Sequence, residues 1–249
     1  MDAQLFREMA VIQDQHWWFS ARREILAALI SRLPLPSPTT ARILEIGCGT
    51  GGNLAMLAEF GQVSAVENDS FARNHAARVS GVGVLPGALP EPLPFPEQHF
   101  DLVCLFDVLE HIADDVASLR TAVRVLRPGG WLLVTVPAYS WLFGPHDRVH
   151  GHYRRYTADH LVRVAREAGA LVRRSGYFNT LLFPLIASAR LMSRLQGSGG
   201  GDANLPSPLV NRLLHGIFAM EAPVIARCFM PFGTSAIAVL QSAPQEVLP

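Results

Sequence analysis

Short apolar runs alternate with amphipathic segments along most of the chain, the pattern of buried strands connected by helices. Residues 5–33 read as helical in two pieces, with Ile25, Leu26, Leu29 and Ile30 on one face, and Pro34, Pro36 and Pro38 ending them. Trp17, Trp18 and Phe19 are adjacent and cannot share one helix face. At least one of the rings is therefore expected to cover a neighbouring element or a ligand. Residues 43–46, 63–67, 82–85, 101–106, 131–136 and 171–178 read as strands; 101–106 is apolar throughout, as a parallel strand buried on both faces should be. Residues 53–60, 72–80, 114–126 and 157–168 read as helices, the last capped by Thr157. The proline-dense 89–96 is a loop, and Arg127-Pro128-Gly129-Gly130 a turn. This alternation predicts an α/β fold with a doubly wound, mostly parallel sheet and a ligand crevice at the carboxyl ends of the strands. Glu45, Glu67, Asp107 and Pro137 all fall on that rim.

The pattern changes after residue 180. Two apolar segments, 180–195 and 208–230, flank a glycine-rich linker at 196–202 that reads as flexible. Residues 233–240 then read as a last strand, and the tail from Gln241 as frayed. The apolar segments hold more than one sheet face needs. They suit a helical lid on the sheet and N-terminal helices, a homodimer surface, or a cap facing lipid or a hydrophobic substrate. Glu221, inside this stretch, is expected either to face solvent or to pair with a buried arginine.

Composition narrows the class. With 249 residues, 49% hydrophobic, the chain is long enough for one large α/β core and too short for two. We divide it into an N-terminal helical cap, 1–38, and a cofactor-binding domain, 39–249, with the apolar insertion at 180–231. The formal net charge of zero supplies no field for nucleic acid. Three widely spaced cysteines, Cys48, Cys104 and Cys228, form neither a disulfide framework nor a metal set, which suits a reducing cytoplasm. Cys48 inside the glycine turn reads as a reactive thiol or as a small buried filler. No signal peptide is evident at the N-terminus. No uncharged apolar run reaches the roughly 18–20 residues of a membrane span, which leaves peripheral contact through 180–231.

The candidate chemistry starts at residues 43–52, Ile-Leu-Glu-Ile-Gly-Cys-Gly-Thr-Gly-Gly. A strand, a glycine turn and a helix present bare amides at a helix N-terminus, a seat for a nucleotide-like cofactor. Gly47, Gly49 and Gly52 fit the GxGxxG spacing, and Glu67 follows at a distance suited to a ribose. That spacing alone also fits a nicotinamide-dependent oxidoreductase. Glu45 argues for a cofactor with a cationic amino-acid moiety. The downstream set is more specific: Leu93-Pro94-Phe95, Phe100-Asp101-Leu102-Val103, Val108-Leu109-Glu110-His111 and Leu126-Arg127-Pro128-Gly129-Gly130.

On these motifs the sequence resembles the class I S-adenosylmethionine-dependent methyltransferases, closely over residues 42–136. The resemblance implies a Rossmann-like sheet of seven strands whose last strand, 233–240, is antiparallel. It implies S-adenosyl-L-methionine as cofactor and S-adenosyl-L-homocysteine as product. The cofactor residues it implies are Glu45, Gly47, Cys48, Gly49, Gly51, Glu67, Asn68, Ala88, Leu89, Asp107 and Val108, with Glu67 on the ribose hydroxyls and Asp107 facing the methionine end. Many members carry an aspartate near Ala88 and Leu89 for the adenine amino group; this sequence has none, so main-chain contacts are expected instead.

The chain also looks like a bacterial subgroup of these enzymes with His16-Trp17-Trp18-Phe19, Arg22-Arg23, His146-Asp147 and His152-Tyr153-Arg154-Arg155-Tyr156 segments. For an oxygen or nitrogen acceptor, a small or lipid-linked metabolite, we expect His146 or His150 as general base with Asp147 as its orienter. The alternative is that these histidines only cap loops. Trp17, Trp18, Tyr139, His152, Arg154 and Arg155 are the expected acceptor contacts, the arginines as an anion clamp or as partners of acids on the 157–168 helix. His146, His150 and His152 have a metal-like spacing but lack an acidic or cysteine partner set, so no metal is expected. A non-catalytic module acting through 180–231 is the remaining reading.

Overall fold

The computed structural model describes residues 3–196 and 205–244. Seven strands form one sheet in the order β3-β2-β1-β4-β5-β7-β6. They are β1 (Arg42–Ile46), β2 (Gln62–Val66), β3 (Val84–Leu85), β4 (Phe100–Phe106), β5 (Leu126–Pro137), β6 (Leu171–Phe178) and β7 (Ser235–Gln241). Strands β1 to β5 are mutually parallel where they pair, and β7 runs antiparallel between β5 and β6. The order reverses at β1, so β1 and β4 flank the crevice where an open sheet binds ligands.

The helices are α1 (Ala3–Ile12), α2 (Trp17–Ile30), α3 (Leu54–Ala58), α4 (Ser70–Ser80), α5 (Asp115–Arg124), α6 (Pro145–Val149), α7 (Ala158–Glu167), α8 (Phe183–Gln196), α9 (Pro208–Ala219) and α10 (Ala222–Ile225). Strand alternation splits the core between the two sheet faces. Val103, Leu105, Leu132 and Val134 pack with Leu119 of α5 and Leu161 of α7. Leu102, Cys104, Leu133 and Ile237 pack with Ile25 and Leu29 of α2, Phe218 of α9 and Ile225 of α10. The N-terminal stretch thus forms two helices, and the insertion packs on α2. Thr157 caps α7 by accepting from the His160 amide at 3.1 Å.

Three expectations change. Residues 127–130 do not leave the sheet as a turn. They form a bulge inside β5, with the register to β4 shifting between Phe100 and Leu102 and Gly129 at a φ of 75°. Ser242, just past β7, closes this bulge: its amide donates to the Gly130 carbonyl at 2.9 Å and its hydroxyl to the Arg127 carbonyl at 2.6 Å. Gln241 is accordingly paired in β7 with Trp131 and Leu171 rather than frayed. Glu221 neither faces solvent nor meets an arginine. It is buried and accepts from the amides of Asn179, Thr180 and Leu181 at 2.7, 2.7 and 2.8 Å, anchoring the entry to α8. Of the glycine-rich linker, Gln196 ends α8 and residues 197–202 lie outside the described residues.

Candidate functional site

The turn after β1 needs its glycines for geometry. Gly47, Gly49 and Gly51 have φ of 70°, 55° and 87°, a region closed to most side chains. A Cβ on Gly47 would lie 2.9 Å from Val108 Cγ2, and one on Gly51 would lie 2.9 Å from Ala76 Cα in α4. Glu67, at the end of β2, ties the turn down: its carboxylate accepts from Gly49 N at 2.9 Å and from Asp69 N at 2.8 Å. Under the turn, Glu45 is buried and accepts from Asn53 Nδ2 at 2.7 Å; burial raises its pKa to about 7.

A cavity of about 1320 Å³ opens over the turn. Gly47, Cys48, Gly49, Glu67, Asn68, Ala88, Leu89, Asp107 and Val108 line it, as do Trp17, Trp18, His146, His150, His152 and Arg155. Glu45 and Gly51 lie behind this surface: Asn53 stands between Glu45 and the cavity, and Gly51 is where α4 meets the turn. Cys48 is a buried filler, its thiol pushed well up by burial and by Glu45 and Glu67, so it carries no thiolate at neutral pH.

Arg22 and Gln13, neither expected as a site residue from the sequence, join the expected rings and apolar insertion in completing the walls. Arg22 of α2 forms an ion pair with Asp107 and lies 4.3 Å above the Trp18 ring. Gln13, after α1, donates to the Thr50 carbonyl at 3.3 Å, so the N-terminal segment clasps the glycine turn. The adjacent rings divide as their spacing requires: Trp17 meets Phe218 edge-on at 6.0 Å, while Trp18 and Phe19 meet each other and the cavity. Leu185, Ile186, Ala189 and Met192 of α8 supply an apolar wall.

The histidine end differs from expectation. Asp147 is buried in α6 and accepts from His152 Nδ1 at 2.8 Å, Arg155 Nε at 2.8 Å and Gly144 N at 2.8 Å. Burial alone would raise its pKa, but these hydrogen bonds outweigh it and hold the carboxylate well below the usual range. Asp147 thus orients His152, not His146 or His150. On a helix His146 and its neighbour Asp147 point in different directions, whereas His146 and His150, four apart, meet with ring centroids 4.2 Å apart. Burial also pulls His146 to a pKa of about 2, a poor proton acceptor at neutrality.

Two expected acceptor contacts face elsewhere. Arg154 pairs with Asp115 of α5 at 2.7 Å and donates to the Ala113 carbonyl at 2.6 Å, so it is neither clamp nor partner of α7. Tyr139 stacks on Tyr177 at 5.1 Å, outside the cavity lining. In their place the cavity gains Glu110 and His111 from the turn after β4.

A glycine turn tied to an acid at the end of β2, in a sheet whose β7 is antiparallel, defines the class I methyltransferase fold. A family model described as a methyltransferase domain matches residues 18–175, and the chain belongs to that family of S-adenosylmethionine-dependent enzymes. It is 32% identical over 159 residues to a probable S-adenosylmethionine-dependent methyltransferase of Mycobacterium tuberculosis, covering 62% of this chain and 56% of that one. It is 33% identical over 141 residues to the ubiquinone/menaquinone biosynthesis C-methyltransferase of Shewanella woodyi, covering 53% of each. The chain therefore spans about half the length of these curated relatives. Among solved structures, the methyltransferase complexed with the Trm112 methyltransferase activator in Haloferax volcanii aligns with a TM-score of 0.64 at 18% identity. That alignment covers 100% of this chain and 97% of the other, a likeness of fold. The cofactor of this chain, as of its family, is S-adenosyl-L-methionine, and a nicotinamide cofactor is not favoured.

Proposed function

We propose that the chain transfers the methyl group of S-adenosylmethionine to an oxygen or nitrogen of a small or lipid-linked acceptor with an apolar body and a polar head. One observation carries this reading: a single cavity joins the glycine turn, the apolar wall of α2 and α8, and the histidine end. At about 1320 Å³ it exceeds the roughly 300–1,000 Å³ of a pocket for one drug-sized ligand, so it has room for cofactor and acceptor together.

In this reading the turn and Glu67 hold the cofactor, with Glu67 on the ribose and Asn68, Ala88 and Leu89 toward the adenine. Asp107 and Val108 border the methionine end, and Arg22 neutralises Asp107 until the ligand arrives. The acceptor's apolar body lies along Trp17, Trp18 and α8, and its head meets His150, His152 and Arg155. When bound, the cofactor would supply its methyl carbon to the acceptor atom; the electron pair of the broken carbon–sulfur bond would stay on sulfur, and the acceptor's proton would pass to water at the histidine end of the cavity. Alignment of the reactants supplies about 7–11 kcal/mol in favourable cases. Exposed Leu209, Val210 and Leu213 on α9 give peripheral lipid contact or a second copy a surface. Among the described residues no helix is long and apolar enough to cross a membrane.

Incubation with methyl-labelled cofactor and a fractionated cell extract tests the acceptor. We expect label in a metabolite or solvent-extractable lipid, on oxygen or nitrogen, and loss of it in Trp18→Ala. Label confined to protein or nucleic acid overturns the acceptor class. Label on carbon, the atom named for the Shewanella woodyi relative, overturns the atom assignment.

A further inference from the structure

At the polar end of the cavity, Glu110 and His111 come from the turn after β4, and His152 from the segment before α7. Their donor atoms all lie within 4.8 Å of one another. Metal–ligand bonds of about 2.0–2.2 Å hold donors roughly 3–4 Å apart, so a small side-chain rotation closes the set. The two imidazoles stand edge to face, centroids 4.6 Å apart and planes at 82°, so their lone pairs can converge rather than stack.

The surroundings match those of ligating side chains. His152 gives its Nδ1 proton to Asp147 at 2.8 Å, which leaves Nε2 as the acceptor nitrogen. His111 faces the Gly151 carbonyl, while its Nδ1 is buried without a hydrogen-bond partner. Glu110 is 1% exposed and its Oε2 likewise has no partner. Leaving a buried carboxylate oxygen and an imidazole nitrogen unsatisfied is costly, and one cation between them relieves both. Arg155, the nearby competitor for Glu110, is already held by Asp147 at 2.8 Å.

We propose that Glu110, His111 and His152 bind a divalent first-row transition-metal ion on the cavity wall. A two-histidine, one-carboxylate set with open positions suits zinc, iron(II), manganese or cobalt. All three ligands line the space assigned to the acceptor's head. Resting on the methyl-transfer reading, this narrows the acceptor to one that presents an oxygen, whose proton a bound cation makes easier to lose. The set has no signature in the sequence because Glu110 and His111 lie far along the chain from His152, and only the fold brings them together.

The test is titration of the chelator-treated full chain with Co²⁺, read by visible absorption, with Zn²⁺ as competitor. One saturable equivalent per chain is expected. Affinity should fall at least tenfold in Glu110→Gln and in His111→Ala, and about 10–100-fold in Asp147→Asn, which removes no ligand but weakens the acceptor that orients His152 and holds Arg155. His150→Ala should bind as the unaltered chain does. Thermal melts and S-adenosylhomocysteine calorimetry on each variant establish that it is folded. Absence of saturable binding, or binding unchanged in folded Glu110→Gln and His111→Ala, overturns the site. Cobalt binding without S-adenosylhomocysteine binding overturns the methyl-transfer reading and leaves the metal site standing.

Discussion

Glu45 shows how one buried carboxylate sets a pH dependence. Its folded pKa of about 7 lies above its ordinary 4.5, because burial penalises the charge more than the Asn53 hydrogen bond relieves it. The folded form therefore holds a proton that the unfolded chain releases above pH 4.5. Glu45 contributes stability fully below that pH and loses it as the pH rises through about 7, a swing of roughly 3 kcal/mol. His111 and His146 act oppositely: burial lowers them to about 3 and 2, so their contribution grows as the pH rises toward 6.5. The total curve partly cancels, but the difference between the unaltered chain and Glu45→Gln should fall steadily from pH 4.5 to 7. Urea denaturation at several pH values measures it, and a flat difference contradicts the buried, protonated Glu45. Glu67 and the glycines were readable because their roles follow from local order along the chain. Arg22 with Asp107, and Asp147 with His152, were not, because partner choice depends on which side chains the fold brings together.

α4 packs on the glycine turn so closely that Gly51→Ala must push it away, beyond the strain of a positive φ. Overpacking of this kind costs about 1–3 kcal/mol, or several degrees in Tm for a chain of this size. An unchanged melting curve would show that α4 is not seated on the turn. Glu221 ties α10 to the entry of α8 through three backbone amides, that of Asn179 buried and those of Thr180 and Leu181 partly so. Glu221→Ala strands the buried Asn179 amide at about 1–3 kcal/mol and costs less at the two amides that water can reach, whereas Glu221→Gln keeps one acceptor oxygen and should lose less. Chemical denaturation of the pair checks the order; equal stability for both variants contradicts the anchor. The strands and main helices were legible from periodicity because each buries a face with its own period. The bulge at residues 127–130 was not, because Arg-Pro-Gly-Gly has turn chemistry and only pairing with the distant β7 end keeps it in the sheet.

At the scale of the whole molecule, the sheet order places β1 and β4 side by side, and the cavity follows from that adjacency. The N-terminal helices and the insertion meet each other over the crevice, Trp17 against Phe218 and the Asn211 side chain accepting from the Trp17 amide at 2.9 Å. The surplus apolar residues of the insertion therefore divide between this packing and an exposed face of α9. Sequence order alone could not make that division, since the two segments lie at opposite ends of the chain. The central claim is that the glycine turn and Glu67 seat the cofactor, and calorimetric titration with S-adenosylhomocysteine tests it most directly. We predict one-to-one binding by the unaltered chain and at least a tenfold loss in Glu67→Ala, since a charged hydrogen bond is worth about 1.5–3 kcal/mol. No binding by the folded chain, or equal binding by folded Glu67→Ala, would contradict it.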